Sequence, residues 1–131
     1  MPSIFSKIIE GEIPSYKVAE DEKHFAFLDI SPLQAGHTLV VPKREVDYIF
    51  DLSDEEITGL TVFAKKIAKA MGKVLTCERI GMSVVGLEVP HVHIHLIPIN
   101  KVSDMNFGRP AAELSKEEMQ NLADRISGAM E

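Results

Sequence analysis

The sequence predicts a single domain of the α+β class, in which helices pack on an antiparallel sheet. Segments with helical periodicity mix irregularly with short segments that are β-branched or aromatic and bounded by Gly, Pro or Asp. This order lacks the regular alternation of strand and helix that produces parallel sheets. The chain has 131 residues, close to the commonest domain size, and no repeat or linker divides it.

Two helices are indicated by capping boxes, in which a serine is followed three residues later by a glutamate. The boxes are Ser53 with Glu56 and Ser115 with Glu118. Apolar residues recur at three- and four-residue steps after the first box, opposite a row of lysines, so it opens a long amphipathic helix. The second box opens a C-terminal helix that ends near Gly128.

A short helix and four strands complete the predicted elements. The helix covers residues 5–10 and is closed by Gly11. The strand segments are short, and turn-forming residues bound each of them. They cover residues 25–28, 38–42, 79–85 and 92–98.

Composition narrows the classes to which the protein can belong. Fourteen basic and twenty acidic side chains give a formal net charge of −6, without any block of Lys or Arg. Nonspecific affinity for nucleic acids comes from basic charge, so DNA and RNA are not expected partners. The apolar runs are too short to cross a bilayer and no signal peptide is recognised, so we expect a cytoplasmic protein without a membrane partner. A lone cysteine, Cys77, cannot form an internal disulfide, and we assign it no chemistry.

The segment 91–95 carries three histidines at alternate positions, separated by apolar residues. Alternate side chains of a strand point to opposite faces, so His91, His93 and His95 are predicted to share one face. Along a strand His91 and His95 would lie roughly 13 Å apart, too far to bind one metal ion together. No Cys-x-x-Cys or His-Glu-x-x-His motif supplies further ligands, so the sequence does not favour a metal site. Three histidines in this pattern are also unusual as merely structural residues, whereas the isolated His24 receives no role.

Such a row of imidazoles favours transfer of a phosphoryl or nucleotidyl group. A neutral imidazole nitrogen is nucleophilic near neutral pH without a base to remove a proton. Water can discharge the phosphoramidate that forms on the ring. Neighbouring imidazoles can donate hydrogen bonds to the oxygens on which charge accumulates in the transition state. The central ring is therefore the predicted nucleophile, and the flanking rings are predicted to stabilise the charge.

Residues 91–97 follow the pattern His-φ-His-φ-His-φ-φ, where φ is an apolar residue. This is the signature of the histidine-triad (HIT) family, which the chain resembles. Three further blocks look like the Hint-like branch of that family, which contains nucleotide hydrolases and transferases. They are residues 3–14, 25–32 and 36–43.

The resemblance implies a HIT-like fold that pairs into a homodimer, with the central helices and a strand at the interface. The expected HIT domain spans residues 3–105. Residues 106–131 are expected to form a C-terminal extension that contains a helix and belongs to the same unit.

The resemblance also implies roles for four histidines. His93 would attack the α-phosphate of a nucleotide, and His95 would contact the phosphate or the leaving group. His91 would support the strand and orient its neighbours, and His37 would be a fourth histidine nearby.

A purine nucleotide pocket is implied by apolar residues on several elements. Asp29 matches a carboxylate that accepts the ribose hydroxyls, and a carboxylate can accept from two adjacent hydroxyls. Core packing explains the apolar residues equally well, and Asp29 also fits a turn before Ser31 and Pro32. The residues that match the lining of the base and ribose pocket are Phe5, Ile8, Ile13, Phe27, Leu28 and Ile30.

The loop before the triad departs from the family pattern. The family commonly has Gly-Gln-Ser/Thr-Val here, whereas this chain has Gly86, Leu87, Glu88 and Val89. We expect the backbone amides of these residues to contact the phosphate. A carboxylate near phosphate would repel it by about a few kcal/mol, so Glu88 is expected to meet an amine on the leaving group.

A second departure concerns metal. Some relatives carry a zinc-binding Cys-x-x-Cys near the N-terminus, where this chain has Ser3 and Ser6, so we expect no structural zinc and no cofactor. The leading hypothesis is a nucleotidyl hydrolase or transferase that acts on nucleoside phosphoramidates through a nucleotidyl-histidine and releases a nucleoside monophosphate, AMP in the first instance. The alternatives are a nucleotide-binding module with weak or no catalysis and a dinucleoside polyphosphate hydrolase. An adaptor acting through its dimer surface is a third class.

Overall fold

The computed structural model describes residues 2–130 as three helices packed on one five-stranded antiparallel sheet. The sheet order is β1-β2-β3-β5-β4, and every neighbouring pair is antiparallel. This confirms the predicted α+β class. In chain order the elements are α1 (Ile4–Ile9), β1 (Lys17–Glu20), β2 (His24–Leu28), β3 (Thr38–Pro42), α2 (Asp54–Val74), β4 (Arg79–Ser83), β5 (Ile94–Ile99) and α3 (Lys116–Gly128).

The two capping boxes form as the sequence predicts. The hydroxyls of Ser53 and Ser115 accept the amides of Glu56 and Glu118, and both glutamate side chains accept the amide of their serine in return. Helices α2 and α3 therefore begin directly after their caps. Among residues 2–130, no helix combines the length and the apolar character that a bilayer span requires.

The strand β1 and two short 3₁₀ helices were not predicted. The strand has the sequence Lys-Val-Ala-Glu, in which only Val18 is buried, and Lys, Ala and Glu are poor strand formers. It lies at the edge of the sheet and is stabilised by its antiparallel hydrogen bonds with β2. The 3₁₀ helices, Ile49–Asp51 and Val102–Met105, are single turns that carry no sequence period.

Strand β5, which was predicted to carry the triad, begins at Ile94 rather than at residue 92, so only His95 lies within it, and His91 and His93 lie in the segment just before it. Its pairing with β3 stops at Val40 opposite Ile94. A further rung would place Pro42 opposite Val92, and proline has no amide proton to donate. The Val92 amide donates to the carbonyl of Val46 instead, at 2.7 Å. The other strand limits differ by one residue at the start of β2, two at the end of β4 and one at the end of β5.

The sheet separates two apolar clusters. The larger one lies between the sheet and helices α2 and α3 and includes Ala26, Leu28 and Ile67. The smaller one lies on the other face beneath α1 and contains Phe5, Phe25, Phe27, Leu39 and Val41. Side chains of β2 alternate between these clusters. This division determines which residues can reach the triad.

Candidate active site

The three triad histidines are buried on the face of the sheet that carries the smaller apolar cluster. They are 0%, 5% and 8% exposed for His91, His93 and His95. The intervening residues Val92 and Ile94 belong to the larger core on the opposite face. The alternation thus places the apolar side chains under the sheet and leaves the imidazoles together above it.

His93 is held in one tautomer. Its Nδ1 lies 2.7 Å from the carbonyl oxygen of His91, and a carbonyl can only accept, so the proton of the neutral ring is on Nδ1. The lone pair of His93 is therefore on Nε2. The ring of Phe5 packs against His93 edge to face at 5.0 Å, which fixes the plane of the imidazole.

His91 anchors this arrangement from below. Its Nε2–H donates to the carbonyl of Pro42 at 2.7 Å, so its Nδ1 accepts from the hydroxyl of Ser3, also at 2.7 Å. Ser3 is the N-cap of α1, and its amide donates to Glu45. Burial lowers the pKa of His91, while the Pro42 carbonyl and Glu45 act in the opposite direction. The neutral ring of His91 thus links the start of α1 to the end of β3.

A second chain of hydrogen bonds fixes His95. The backbone amide of Leu33 donates to Nδ1 of His37 at 3.0 Å, so the proton of neutral His37 is on Nε2. That Nε2–H donates to Nδ1 of His95 at 2.9 Å, which places the proton of His95 on its own Nε2. No acceptor for this Nε2–H lies among residues 2–130. His95 therefore offers one free N–H donor.

Burial also keeps these two rings uncharged. It lowers the pKa of His95 to about 3, with further contributions from His37 and His93. The pKa of His37 is lowered by burial as well, and Asp29 partly opposes this shift. Near neutral pH both rings donate hydrogen bonds without carrying charge.

Asp29 combines the two roles considered from the sequence. One carboxylate oxygen accepts the amide of Ser31 at 2.8 Å, which is a turn contact. The other lies 3.7 Å from Nε2 of His37, and the side chain is 21% exposed. The second oxygen is therefore available to a ligand hydroxyl.

His37, His93 and His95 line a cavity of about 550 Å³, whereas the fully buried His91 is not part of its lining. This volume is within the usual range for small-molecule sites. A shallower hollow of about 590 Å³ around Lys17 and Lys43 is lined by no histidine, so we do not consider it as the active site. Seven lining residues were predicted from the sequence: Asp29, His37, Gly86, Leu87, Glu88, His93 and His95. Six were not: Ser31, Leu33, Val85, Phe107, Arg109 and Ala111.

The structure brings the other predicted pocket residues to different places. Phe5, Ile8 and Phe27 form a wall beside His93, and Val89 packs against the same cluster. Since alternation turns Leu28 to the larger core, its side chain does not join them. Ile30 is 77% exposed and borders a separate hollow with Tyr16. Ile13 is partly buried and does not line the catalytic cavity.

Two groups of residues bear on metal binding. Ligand atoms of Asp29, His37 and His95 lie within 4.8 Å of one another. However, His37 uses Nδ1 to accept an amide, so its Nε2 carries a proton and has no lone pair for a metal. Ser3 and Ser6 present hydroxyls, which are not customary zinc ligands. The Ser3 hydroxyl donates to Nδ1 of His91, and the Ser6 hydroxyl donates to Glu45. The donor set does not fit the zinc site of some relatives.

Comparisons with known proteins agree with this geometry. The model of the HIT domain matches residues 10–102. The chain is 37% identical over 129 residues to adenosine 5'-monophosphoramidase hnt1 of Schizosaccharomyces pombe, covering 97% of each protein. It is 38% identical over 131 residues to adenosine 5'-monophosphoramidase HNT1 of Saccharomyces cerevisiae, covering 98% of this chain and 82% of the yeast protein.

A solved structure shares the fold over nearly the whole chain. It is a Hit-like protein from Bartonella henselae described as involved in cell-cycle regulation. It superposes with a TM-score of 0.83 at 32% identity, covering 98% of this chain and 96% of that one. The family match, the relatives and the buried histidine row coincide on the same residues. The chain therefore belongs to the histidine-triad (HIT) family.

Proposed function

We propose that the protein is a nucleotidyl hydrolase or transferase that releases a nucleoside monophosphate, AMP in the first instance, from nucleoside phosphoramidates. The observation that carries this proposal is the tautomer of His93. Its Nδ1–H is committed to the His91 carbonyl, so the Nε2 lone pair is free in a residue that lines the cavity. The names of the two yeast relatives support the same class of substrate.

The reaction proceeds in two balanced steps. Nε2 of His93 forms a bond to the α-phosphorus while the P–N bond breaks, and its electron pair leaves with the amine nitrogen, which takes a proton from solvent. Water then attacks the nucleotidyl-histidine: its oxygen bonds to phosphorus, the N–P bond returns its pair to Nε2, and a proton is released. The ring needs no base in the first step because Nε2 carries no proton.

His95 supports this reaction as a hydrogen-bond donor. Its free Nε2–H can bind a non-bridging oxygen or the departing group, where negative charge grows. Because burial lowers its pKa to about 3, the donor does not change its protonation state across the physiological range. The remaining contacts follow the sequence prediction, with Asp29 on the ribose hydroxyls and the amides of residues 86–89 on the phosphate.

The nucleoside itself is assigned to the wall beside His93. Phe5 and Phe27, which are buried, and the partly buried Ile8 form an apolar surface there, with the ring of Phe5 against His93. A purine ring binds well against apolar and aromatic side chains. Base preference is then tested by competition among the four nucleoside monophosphates at fixed substrate.

Glu88 is assigned to the leaving-group side. It lines the cavity and is exposed, so its carboxylate would face an amine favourably and a polyphosphate unfavourably. Replacement by serine should shift turnover towards polyphosphate-linked nucleotides, and Glu88→Gln, which keeps the size and removes the charge, should do the same. An unchanged ratio of the two substrate classes in both variants would refute this role.

The main test is to incubate the protein with adenosine 5'-phosphoramidate and follow AMP. Release that is lost in His93→Ala supports the enzyme. Binding of AMP without turnover would favour the nucleotide-binding module, and faster cleavage of dinucleoside polyphosphates would favour that hydrolase class. A cellular effect that persists in His93→Ala would favour an adaptor.

We further propose a homodimer formed through β4 and α2. β4 is an edge strand with an unpaired side, and Met82 on it is 57% exposed. A two-fold axis at this edge would pair the strand with its own copy. Met82→Glu would place like charges near the axis and should yield a monomer in light scattering, whereas Val102→Glu, at a site 89% exposed, should not. A monomeric wild type would refute the dimer.

A further inference from the structure

The segment that follows β5 forms one wall of the catalytic cavity. Phe107, Arg109 and Ala111 line it, and all three lie beyond residues 10–102, which match the HIT domain. The amide of Ala112 donates to the carbonyl of Pro32 at 2.7 Å and ties the segment to the opposite wall. The site therefore extends into the C-terminal part of the chain.

Arg109 is the principal link between this segment and the rest of the site. Its Nη2 donates to the carbonyl of Leu33 at 3.1 Å, to the side-chain oxygen of Gln34 at 3.4 Å and to the carbonyl of Asp104 at 3.2 Å. Its Nη1 lies 3.8 Å from the Asp104 carboxylate. Asp104 is itself fixed, since its carboxylate accepts the amides of residues 100 and 101. Through Nη2 the guanidinium thus joins the 3₁₀ helix Val102–Met105 to the turn at residues 33–34.

The turn at residues 33–34 determines which ring nitrogens of His37 and His95 carry a proton. The Leu33 amide donates to Nδ1 of His37, and the His37 amide donates to the Gln34 carbonyl at 3.0 Å. The Leu33 contact fixes the tautomer of His37, and His37 fixes that of His95. The ring of Phe107 packs edge to face on His95 at 4.8 Å and limits its rotation.

We propose that Arg109 is a positioning residue for the reaction: by holding the turn at residues 33–34, it keeps the proton of His95 on Nε2, the nitrogen free to meet the substrate. The inference rests on the proposed function for its kinetic consequence alone. Arg109 touches no reacting atom, and its effect reaches His95 through Leu33 and His37. Without the Nη2 contacts to residues 33 and 34, the Leu33 amide can move away from His37, and both tautomers of His37 and of His95 become accessible.

The test compares Arg109→Lys, which keeps the charge and removes the guanidinium, with Arg125→Lys. Arg125 also donates to a backbone carbonyl, that of Val74 at 3.1 Å, and lies outside the cavity lining. NMR of histidine labelled with ¹⁵N reports which nitrogen of His95 carries the proton, without any substrate. We expect the Nε2–H form in the wild type and in Arg125→Lys, and a mixture of tautomers in Arg109→Lys.

Kinetics on adenosine 5'-phosphoramidate supply the second reading. Loss of one preorganised donor typically lowers kcat by about 10²–10³, and a partial loss of the correct tautomer should lower it by roughly tenfold. KM should change less than kcat, because the apolar wall assigned to the base lies beside His93. Unchanged His95 resonances together with unchanged kcat in Arg109→Lys would overturn the proposal, as would an equal loss in Arg125→Lys.

Two further outcomes remain decisive. If the wild type does not cleave the phosphoramidate, the proposed function fails, while the NMR comparison still decides whether Arg109 controls the tautomer. If Arg109→Lys does not fold, Arg109→Gln replaces it, since the shorter side chain removes the guanidinium that donates to the Leu33 carbonyl. A His95 tautomer that is unaffected in Arg109→Gln would overturn the proposal.

Discussion

Mild acidification is expected to destabilise the protein through its buried histidines. The pKa of His95 is lowered to about 3 by burial, and burial also places the pKa values of His37 and His91 below their ordinary 6.5. As the pH falls through 6.5, the unfolded chain takes up a proton on each ring, whereas the folded His95 stays neutral until about pH 3. The stabilisation is therefore complete above about pH 6.5 and is lost progressively below it.

The size of the effect follows from the number of protons taken up on unfolding. Each proton lowers the free energy of unfolding by about 1.4 kcal/mol per pH unit. Three buried rings set an upper limit of about 4 kcal/mol per pH unit. The carboxylates act at lower pH, because Glu56, whose pKa is lowered to about 2 by Arg44, gains a proton in the unfolded chain only near 4.5. Between pH 6.5 and 4.5 the buried histidines thus dominate the pH dependence of the free energy of unfolding.

Urea unfolding across this window, followed by circular dichroism, measures the slope directly. In His95→Asn the amide oxygen can still accept from His37, but the side chain no longer titrates, so the slope should decrease by about 1.4 kcal/mol per pH unit. Glu56→Gln is the matched control and should alter the pH dependence only below about 4.5. A slope in His95→Asn equal to that of the wild type, or a wild-type stability that is flat in this window, would refute the reasoning.

Two further predictions concern single residues that shape the site. Gly36→Ala should destabilise the protein by roughly 1–3 kcal/mol, because φ is +97° and a Cβ would lie 2.6 Å from a methyl of Leu75. Gly72 lies in a helix with open space around it, so Gly72→Ala should stabilise the protein by about 0.5–1 kcal/mol in the same urea denaturation assay. Equal midpoints for the two variants would contradict this. Ser3→Ala should lower the free energy of unfolding by about 1–3 kcal/mol, since it removes the cap of α1 and leaves Nδ1 of His91 without a donor. Ser3→Thr keeps the hydroxyl and should unfold close to the wild type, so a similar loss in both variants would argue against the hydrogen bond.

The parts of the fold that the sequence predicts well depend on local interactions. The capping boxes bring partners three residues apart, so the starts of α2 and α3 could be placed to the residue. Alternation is equally local, and it is sufficient to group the triad. The strand β1 escaped prediction because it is stabilised by pairing with β2 and not by its own residue types.

The parts of the site that the sequence could not supply depend on distant contacts. Arg109 reaches Leu33 across 76 residues of chain, and no local pattern links the two. Phe107 likewise meets His95 only through the turn after β5. Leu28 is different, because alternation along β2 already separates it from Phe27, and the same rule that grouped the triad excludes its side chain from that wall.

The central claim is that Nε2 of His93 bonds to phosphorus during turnover. A direct test mixes the protein rapidly with adenosine 5'-phosphoramidate and stops the reaction with a denaturant at neutral pH, without acid. Intact mass spectrometry then detects the adduct, and peptide mapping locates it. We expect a transient adenylyl adduct on His93 that decays as AMP appears and that is absent in His93→Ala. AMP release by the wild type without any adduct under conditions that preserve phosphoramidates, or an adduct mapped to another residue, would contradict the account.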